Sequence, residues 1–178
     1  MGLGRLCGMA LAFALGGCGG MNVEDFEGKT PELRIERYFA GKTSAWGIFE
    51  DRFGTLRRQF TVDITGTFDG QLLTLEENFL YSDGETERRV WTIRPGDDGR
   101  YEGKADGVVG IARGQAAGNA LNWRYDFDLK VGDGTWRVAF DDWLYLQPGD
   151  VIVNRAKVTR FGIEIGEITL FFSKPAGV

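Results

Sequence analysis

The stretch Leu121–Leu129, LNWRYDFDL, decides the fold. Leu121, Trp123, Tyr125, Phe127 and Leu129 share one parity, and Asn122, Arg124, Asp126 and Asp128 share the other. Successive side chains of a strand point to opposite faces, so this period of two predicts a strand with one core face and one wet face. Working outward, Gly132-Asp133-Gly134 is a turn signal, and Thr135–Leu146 follows. There Trp136, Val138, Phe140, Leu144 and Leu146 alternate, with Asp142 on the apolar parity.

The same texture runs from Ser44 to Phe172. Phe60, Val62 and Ile64 alternate with Thr61, Asp63 and Thr65. Leu73, Leu75, Phe79 and Tyr81 share a parity that includes Glu77. The segments 86–94, 100–106, 151–160 and 162–172 are further strands, and Asp69-Gly70, Asp83-Gly84 and Pro148-Gly149-Asp150 punctuate them. About nine or ten strands joined by short turns imply antiparallel neighbours, and a meander that long removes its edges by closing. The expected fold is all-β: a single antiparallel up-and-down β-barrel, lipocalin-like in layout, with a short N-terminal helix. An open two-sheet sandwich is the alternative. Thr30-Pro31-Glu32 has the chemistry of a helix start, so PELRIERYF is expected to form a helix of about two turns.

Composition narrows the chemistry. The chain has 178 residues, 43% hydrophobic and 13% aromatic, with net charge -5. That supplies one domain with a sizeable core. An acidic chain without a basic run does not fit nucleic acid, where neutralising phosphates dominates affinity. The chain has no histidine and two cysteines, Cys7 and Cys18. Histidine-dependent nucleophile systems are therefore excluded, and a Cys/His zinc site is not expected. No calcium loop, P-loop or cofactor motif is present, so neither a metal nor a cofactor is expected.

The N-terminus carries an address. Arg5 and the apolar run Leu6–Leu15 fit a secretory signal, and ten residues are too few to span a bilayer. Leu15-Gly16-Gly17-Cys18 resembles the lipobox of bacterial lipoproteins. That resemblance implies cleavage before Cys18 and lipidation of its thiol, with several acyl chains giving stable anchoring. The expected division is 1–17 signal peptide, 18–30 lipidated tether and 31–178 barrel domain. The expected location is the cell envelope, anchored to a membrane through Cys18. Gly19 in place of Asp favours the outer membrane under the sorting rule of enteric lipoproteins.

Several blocks carry a family resemblance: SAWGIFEDRFG, RRQFTVDITG, RRVWTI, RYEGKADGVVGIARGQAAGNALNWRY, FDDWLYL and NRAKVTRFGIEIGEITLFF. Together, through most of 31–173, they resemble the uncharacterised bacterial family DUF3833, many of whose members read as lipoproteins. The resemblance implies no established activity. The family's frequent gene neighbourhood with cyclopropane-fatty-acid-synthase types implies a lipid context. The layout also resembles lipocalins, with Trp46 on the first strand, although Gly47 follows the Trp and the Gly-x-Trp motif is not met.

Candidate ligand-binding residues follow from parity. Asp142 lies on a core face and needs a partner, for which Arg89, Arg155 and Arg160 are candidates. Asp141 and Asp142 are adjacent on a strand, face opposite ways and cannot act as a pair. One of Asn154 and Arg155 must point inward, and an inward Arg could hold a carboxylate or phosphate. Trp123 and Tyr125 are core aromatics that can line a pocket. The Gly/Ala-rich segment 107–120 is expected at a barrel corner.

These features favour a binder of a lipid or other apolar molecule, with a central cavity above roughly 300 Å³. The alternative is a structural or accessory interaction lipoprotein with an apolar outer patch. An enzyme is not expected; it would need Asp142 in a cleft beside a second titratable group.

Overall fold

The structure is a computed structural model that describes residues 20–175. Among these residues ten antiparallel strands close into one barrel. They are β1 (Gly41–Asp51), β2 (Leu56–Phe68), β3 (Leu73–Tyr81), β4 (Thr86–Pro95), β5 (Arg100–Lys104), β6 (Val108–Ala117), β7 (Ala120–Val131), β8 (Gly134–Gln147), β9 (Val151–Arg160) and β10 (Ile163–Ser173). Each strand pairs with its neighbours in sequence, and β1 pairs with β10 to close the ring. The barrel is therefore up-and-down, and the sandwich is ruled out.

The opening stretch lies in β7 as its parity requires. Leu121, Trp123 and Phe127 are buried, and Arg124 is exposed. In β8, Val138, Asp142 and Leu146 face inward with Phe140 and Leu144. Asp141 lies on the outer wall, where Arg124 Nε approaches it at 3.2 Å. The helix departs from expectation. Only Ile35–Tyr38 (α1) is helical. Leu33 N–H donates to Gly118 O at 2.8 Å, which ties the preceding backbone to the β6–β7 turn instead of a first helical turn.

The two ends of the barrel differ. Leu33, Ile35, Tyr38 and Phe39 are buried as a plug across the end where β2–β3, β6–β7 and β8–β9 turn. Tyr38 OH donates to Asp150 O at 2.9 Å, and Lys174 Nζ donates to Ala40 O at 2.9 Å and Thr43 Oγ1 at 3.1 Å. The opposite end, the mouth, carries the β1–β2, β3–β4, β7–β8 and β9–β10 turns; among the described residues the N-terminal segment does not cover it, and Phe127, Val138 and Val158 form a second apolar cluster inside it. Its turns display Phe53, 78% exposed, and Phe161, 88% exposed. Part of the segment read as tether is packed. Val23–Phe26 forms a 3-10 turn, Val23 is buried, and the Phe26 ring sits 5.6 Å from Tyr145.

The Gly/Ala-rich segment makes room for an aromatic. A β-carbon on Gly103 of β5 or Gly114 of β6 would collide with the Trp123 ring. Beside them the β6–β7 register shifts between Val109 and Arg113, with Gly110 at φ 76° inside the bulge. Such bulges bend a strand, which a closing barrel requires.

Candidate functional site

The interior divides at a layer of aromatic rings. Trp91 stands edge-on to Trp123 and Tyr125, with centroids 5.8 and 5.3 Å apart. Tyr125 stacks on Phe140 at 4.9 Å. Below this layer, towards the plug, the core is apolar. Polar side chains join the inward face around it, and above it Phe127, Val138 and Val158 form a second apolar cluster.

The polar side chains come from four strands. Glu77 on β3 and Arg89 on β4 are register partners on adjacent strands, both facing inward. Arg89 Nη2 donates to Glu87 Oε1 at 2.6 Å, and Tyr81 OH donates to Glu87 Oε2 at 2.8 Å. The Arg89 guanidinium also lies 5.0 Å from the centres of the Phe79 and Phe127 rings. Across the barrel, Tyr125 on β7 and Asp142 on β8 both lie on the inward face, and each shifts the other's protonation. Asp142 is only 8% exposed.

The electrostatics follow from three carboxyls sharing one deep cation. Burial pushes Glu77 up to about 7, with Arg89 opposing the shift and Glu87 adding to it. Burial pushes Asp142 up to about 8, opposed by Tyr125 and reinforced by Asp141 through the wall. The Tyr125 hydroxyl is held well above its usual range by burial and by Asp142. Glu87 goes the other way: burial would raise it, but Arg89 and the Tyr81 hydroxyl hold it below the usual range. Near neutral pH this floor holds protonated and ionised carboxyls together, so it can donate as well as accept hydrogen bonds.

Glu77 and Tyr125 are part-buried on the inward face, as are Phe60, Phe79, Phe140, Leu144 and Leu170. Hollows of the size expected at the centre open elsewhere. One of about 460 Å³ lies on the outer wall between Trp46, Ile48, Leu80 and Phe171, and one of about 310 Å³ lies by Arg34, Arg37 and Lys174 at the plugged end.

The candidates from sequence separate cleanly. Arg89, Trp123, Tyr125 and Asp142 meet in the interior. Asn154 also points inward, 5% exposed, but its Nδ2 donates to Trp143 O at 3.3 Å, a bond within the wall. Arg155 is corrected. It lies on the outer face, and its Nη2 donates to both carboxylate oxygens of Glu167 at 2.7 Å. Asn154 takes the inward parity of β9, so Arg155 must face out. Arg160 does not meet Asp142 either; its guanidinium lies 4.1 Å from the Trp136 ring centre, at the mouth. Glu77 and Glu87 are the residues that sequence reasoning missed. The parity of Glu77 with Leu73 and Leu75 was the available signal. Cys18 lies outside the described residues. Among the described residues no group of three Asp, Glu, Cys or His side chains is placed to hold a metal ion.

This architecture and its residues define the class: a ten-stranded lipocalin-like barrel with a polar interior floor. The DUF3833 pattern, described as a protein of unknown function, matches residues 12–174, and the chain belongs to that family. No curated protein matches the chain. Among solved structures it is similar to the S-type phycobiliprotein lyase CPES from Guillardia theta, at 9% identity and a TM-score of 0.59. The alignment covers 89% of this chain and 100% of that one. At that identity the likeness is one of fold.

Proposed function

We propose that this protein is a lipid-anchored envelope protein that binds an amphipathic small molecule in its barrel. The observation that carries this reading is the set of inward-facing polar side chains, Glu77, Arg89, Tyr125 and Asp142, beside the layer of aromatic rings. Polar groups at the floor of an apolar, aromatic-lined space suit a ligand with a polar head and a slender apolar body. The solved lyase with the same fold handles a phycobiliprotein by its title, and that is compatible with a barrel that accommodates a small molecule. The test is native mass spectrometry of the full chain purified from its own host, followed by lipid extraction. A reproducible co-purified amphiphile supports the reading. A clean ligand-free mass, with no uptake of added lipid, overturns it.

The anchor is a separate part of the proposal, resting on Leu15-Gly16-Gly17-Cys18. The mature N-terminal peptide should carry a diacylglyceryl mass on Cys18, and Cys18→Ala should release the protein from the membrane fraction. A second reading, an accessory protein that docks a partner on its outer wall, is favoured by one observation. Trp46, Leu80 and Phe171 are 51%, 54% and 49% exposed around the outer groove.

A further inference from the structure

Charge is unevenly spread over the outer wall of the barrel. On the β5–β8 side, Arg113 pairs with Glu102, Arg124 with Asp141 and Arg137 with Asp128. On the opposite side, the groove of about 460 Å³ lies over β10, β1, β2 and β3, and no residue that lines it is charged. Strand register sets its exposed side chains in one row: Phe171 pairs with Trp46, Trp46 with Thr61 and Thr61 with Leu80. Phe171, Trp46 and Leu80 are each about half exposed. An uncharged apolar surface with a polar border marks a contact with a protein or a membrane. The same row leads to the N-terminal segment. Phe171 pairs with Val153, and Val153 with Tyr145. There the Tyr145 hydroxyl donates to Met21 Sδ at 3.6 Å, and Phe26 packs against Trp143 and Tyr145. Cys18 precedes Met21 by three residues, a reach of about 11 Å. From Tyr145 to Trp46 is three strand spacings, about 14 Å. A lipid on Cys18 would therefore enter its membrane beside this wall.

We infer that this wall, from β3 across β2 and β1 to β10, rests on the lipid surface that carries the anchor, with Trp46, Leu80 and Phe171 against the acyl chains. This goes beyond the small-molecule reading and rests on the proposed anchor. Two features favour a lipid surface over a protein. The groove offers no charged group to orient a protein partner. Every strand of the wall is also paired on both sides in the closed barrel, so it meets lipid without leaving a free edge of backbone N–H and C=O groups. Trp46 suits such a boundary, because an indole has an apolar body and a polar N–H. Glu50 and Asp63 lie two residues beyond Ile48 and Thr61 on the same outer faces, and they limit how deep the wall sinks. The β2–β3 turn of the plugged end joins two strands of this wall, so one tilt brings both to the membrane.

The experiment takes the full chain purified from its own host and reconstitutes it on vesicles of phosphatidylethanolamine and phosphatidylglycerol. The vesicles are made with or without a phosphatidylcholine brominated on its acyl chains, which quenches indoles in contact with those chains. The expected result is quenching of tryptophan emission that Trp46→Phe largely abolishes and that Trp136→Phe, at the mouth, leaves in place. Leu80→Asp, read with Trp46 present, should also reduce the quenching, because it sets a charge against the acyl chains. Circular dichroism and melting of each variant establish that it folds. The mass of the N-terminal peptide, taken on the same sample, separates this inference from the anchor. A lipidated Cys18 with no quenching of Trp46 overturns the inference, leaves the anchor standing and leaves the wall to a protein partner. Quenching that Trp136→Phe removes and Trp46→Phe does not also overturns it, by placing the mouth at the membrane. An unmodified Cys18 with Trp46 still quenched overturns the anchor and supports the wall as the membrane contact. An unmodified Cys18 with no quenching overturns both.

Discussion

At the scale of single residues, the interior carboxyls make stability depend on pH in an unusual direction. Glu77 and Asp142 hold their protons to about 7 and about 8, above the ordinary range near 4. A raised folded pKa means that the native state binds more protons than the unfolded chain between those limits. Stability contributed by these groups is therefore full below about pH 4 and falls as pH rises through 7 and 8. Surface carboxylates held low by partners, Asp51, Asp83 and Asp128, act in the opposite window and lose their contribution as the medium becomes strongly acidic. The melting temperature should therefore decline from pH 5 to pH 8.5, by a free energy on the order of a few kcal/mol. Glu77→Gln with Asp142→Asn should flatten that decline; an equally steep decline in the double variant would refute the assignment. Arg155 provides the contrast. Its bidentate pair with Glu167 is on the outer wall, so Arg155→Ala should cost no more than about 0.5 kcal/mol in urea unfolding. It should also leave ligand titrations unchanged. The parity of Asp142 was legible in the sequence and Arg89 was among its candidate partners, but Tyr125 as a partner was not. Tyr125 reaches it from a neighbouring strand, and Arg89 acts on it from across the barrel, distances that no strand pattern records.

At the scale of elements, the fit between Trp123 and the small residues beside it is the most exacting packing in the wall. A Val at Gly114 would place its β-carbon inside the Trp123 ring, on backbone held by both strand ladders. Overpacking of this kind costs typically 1–3 kcal/mol, so Gly114→Val should lower the urea midpoint by about that equivalent. It should also change the near-ultraviolet dichroism of the Trp91–Trp123 pair. A change in neither would mean that the ring moves aside freely. The strands themselves were legible, because in an antiparallel barrel one face is apolar and the other wet, which leaves a period of two in β7 and β8. The short N-terminal helix was legible too, but its start was placed too early for an equally physical reason. Thr30-Pro31-Glu32 has a helix-starting composition, but the bond from Leu33 N–H to Gly118 O draws that backbone onto a turn far away in sequence. Local propensity lost to a tertiary bond. The Gly/Ala-rich segment had a visible composition and an invisible purpose, since which ring fills the space depends on the register of β5, β6 and β7.

At the scale of the whole molecule, the first described residues leave the barrel near its plugged end, opposite the mouth. Tyr145 OH donates to Met21 Sδ at 3.6 Å, and Tyr145 is close to the plugged end of β8. Cys18 precedes Met21 by three residues, a reach of about 11 Å at full extension. From Tyr145 to Gly134 at the mouth, β8 rises about 3.3 Å per residue and tilts by about 35–45°, a height of roughly 25–30 Å. If Cys18 carries the proposed lipid, the plugged end would be held towards the membrane while the Val23–Phe26 turn stays packed, and the mouth would point away. This orientation has a direct test in the anchored protein on vesicles that carry a quenching lipid. In the proposed mature form Cys7 would be cleaved off and Cys18 lipidated, so a single introduced cysteine could be labelled. A fluorophore on Gln71→Cys, in the β2–β3 turn at the plugged end, should be quenched more strongly than one on Asp133→Cys at the mouth. Stronger quenching at Asp133 would mean that exposed Phe53 and Phe161 dip into the bilayer and the N-terminal turn has come away from β7 and β8.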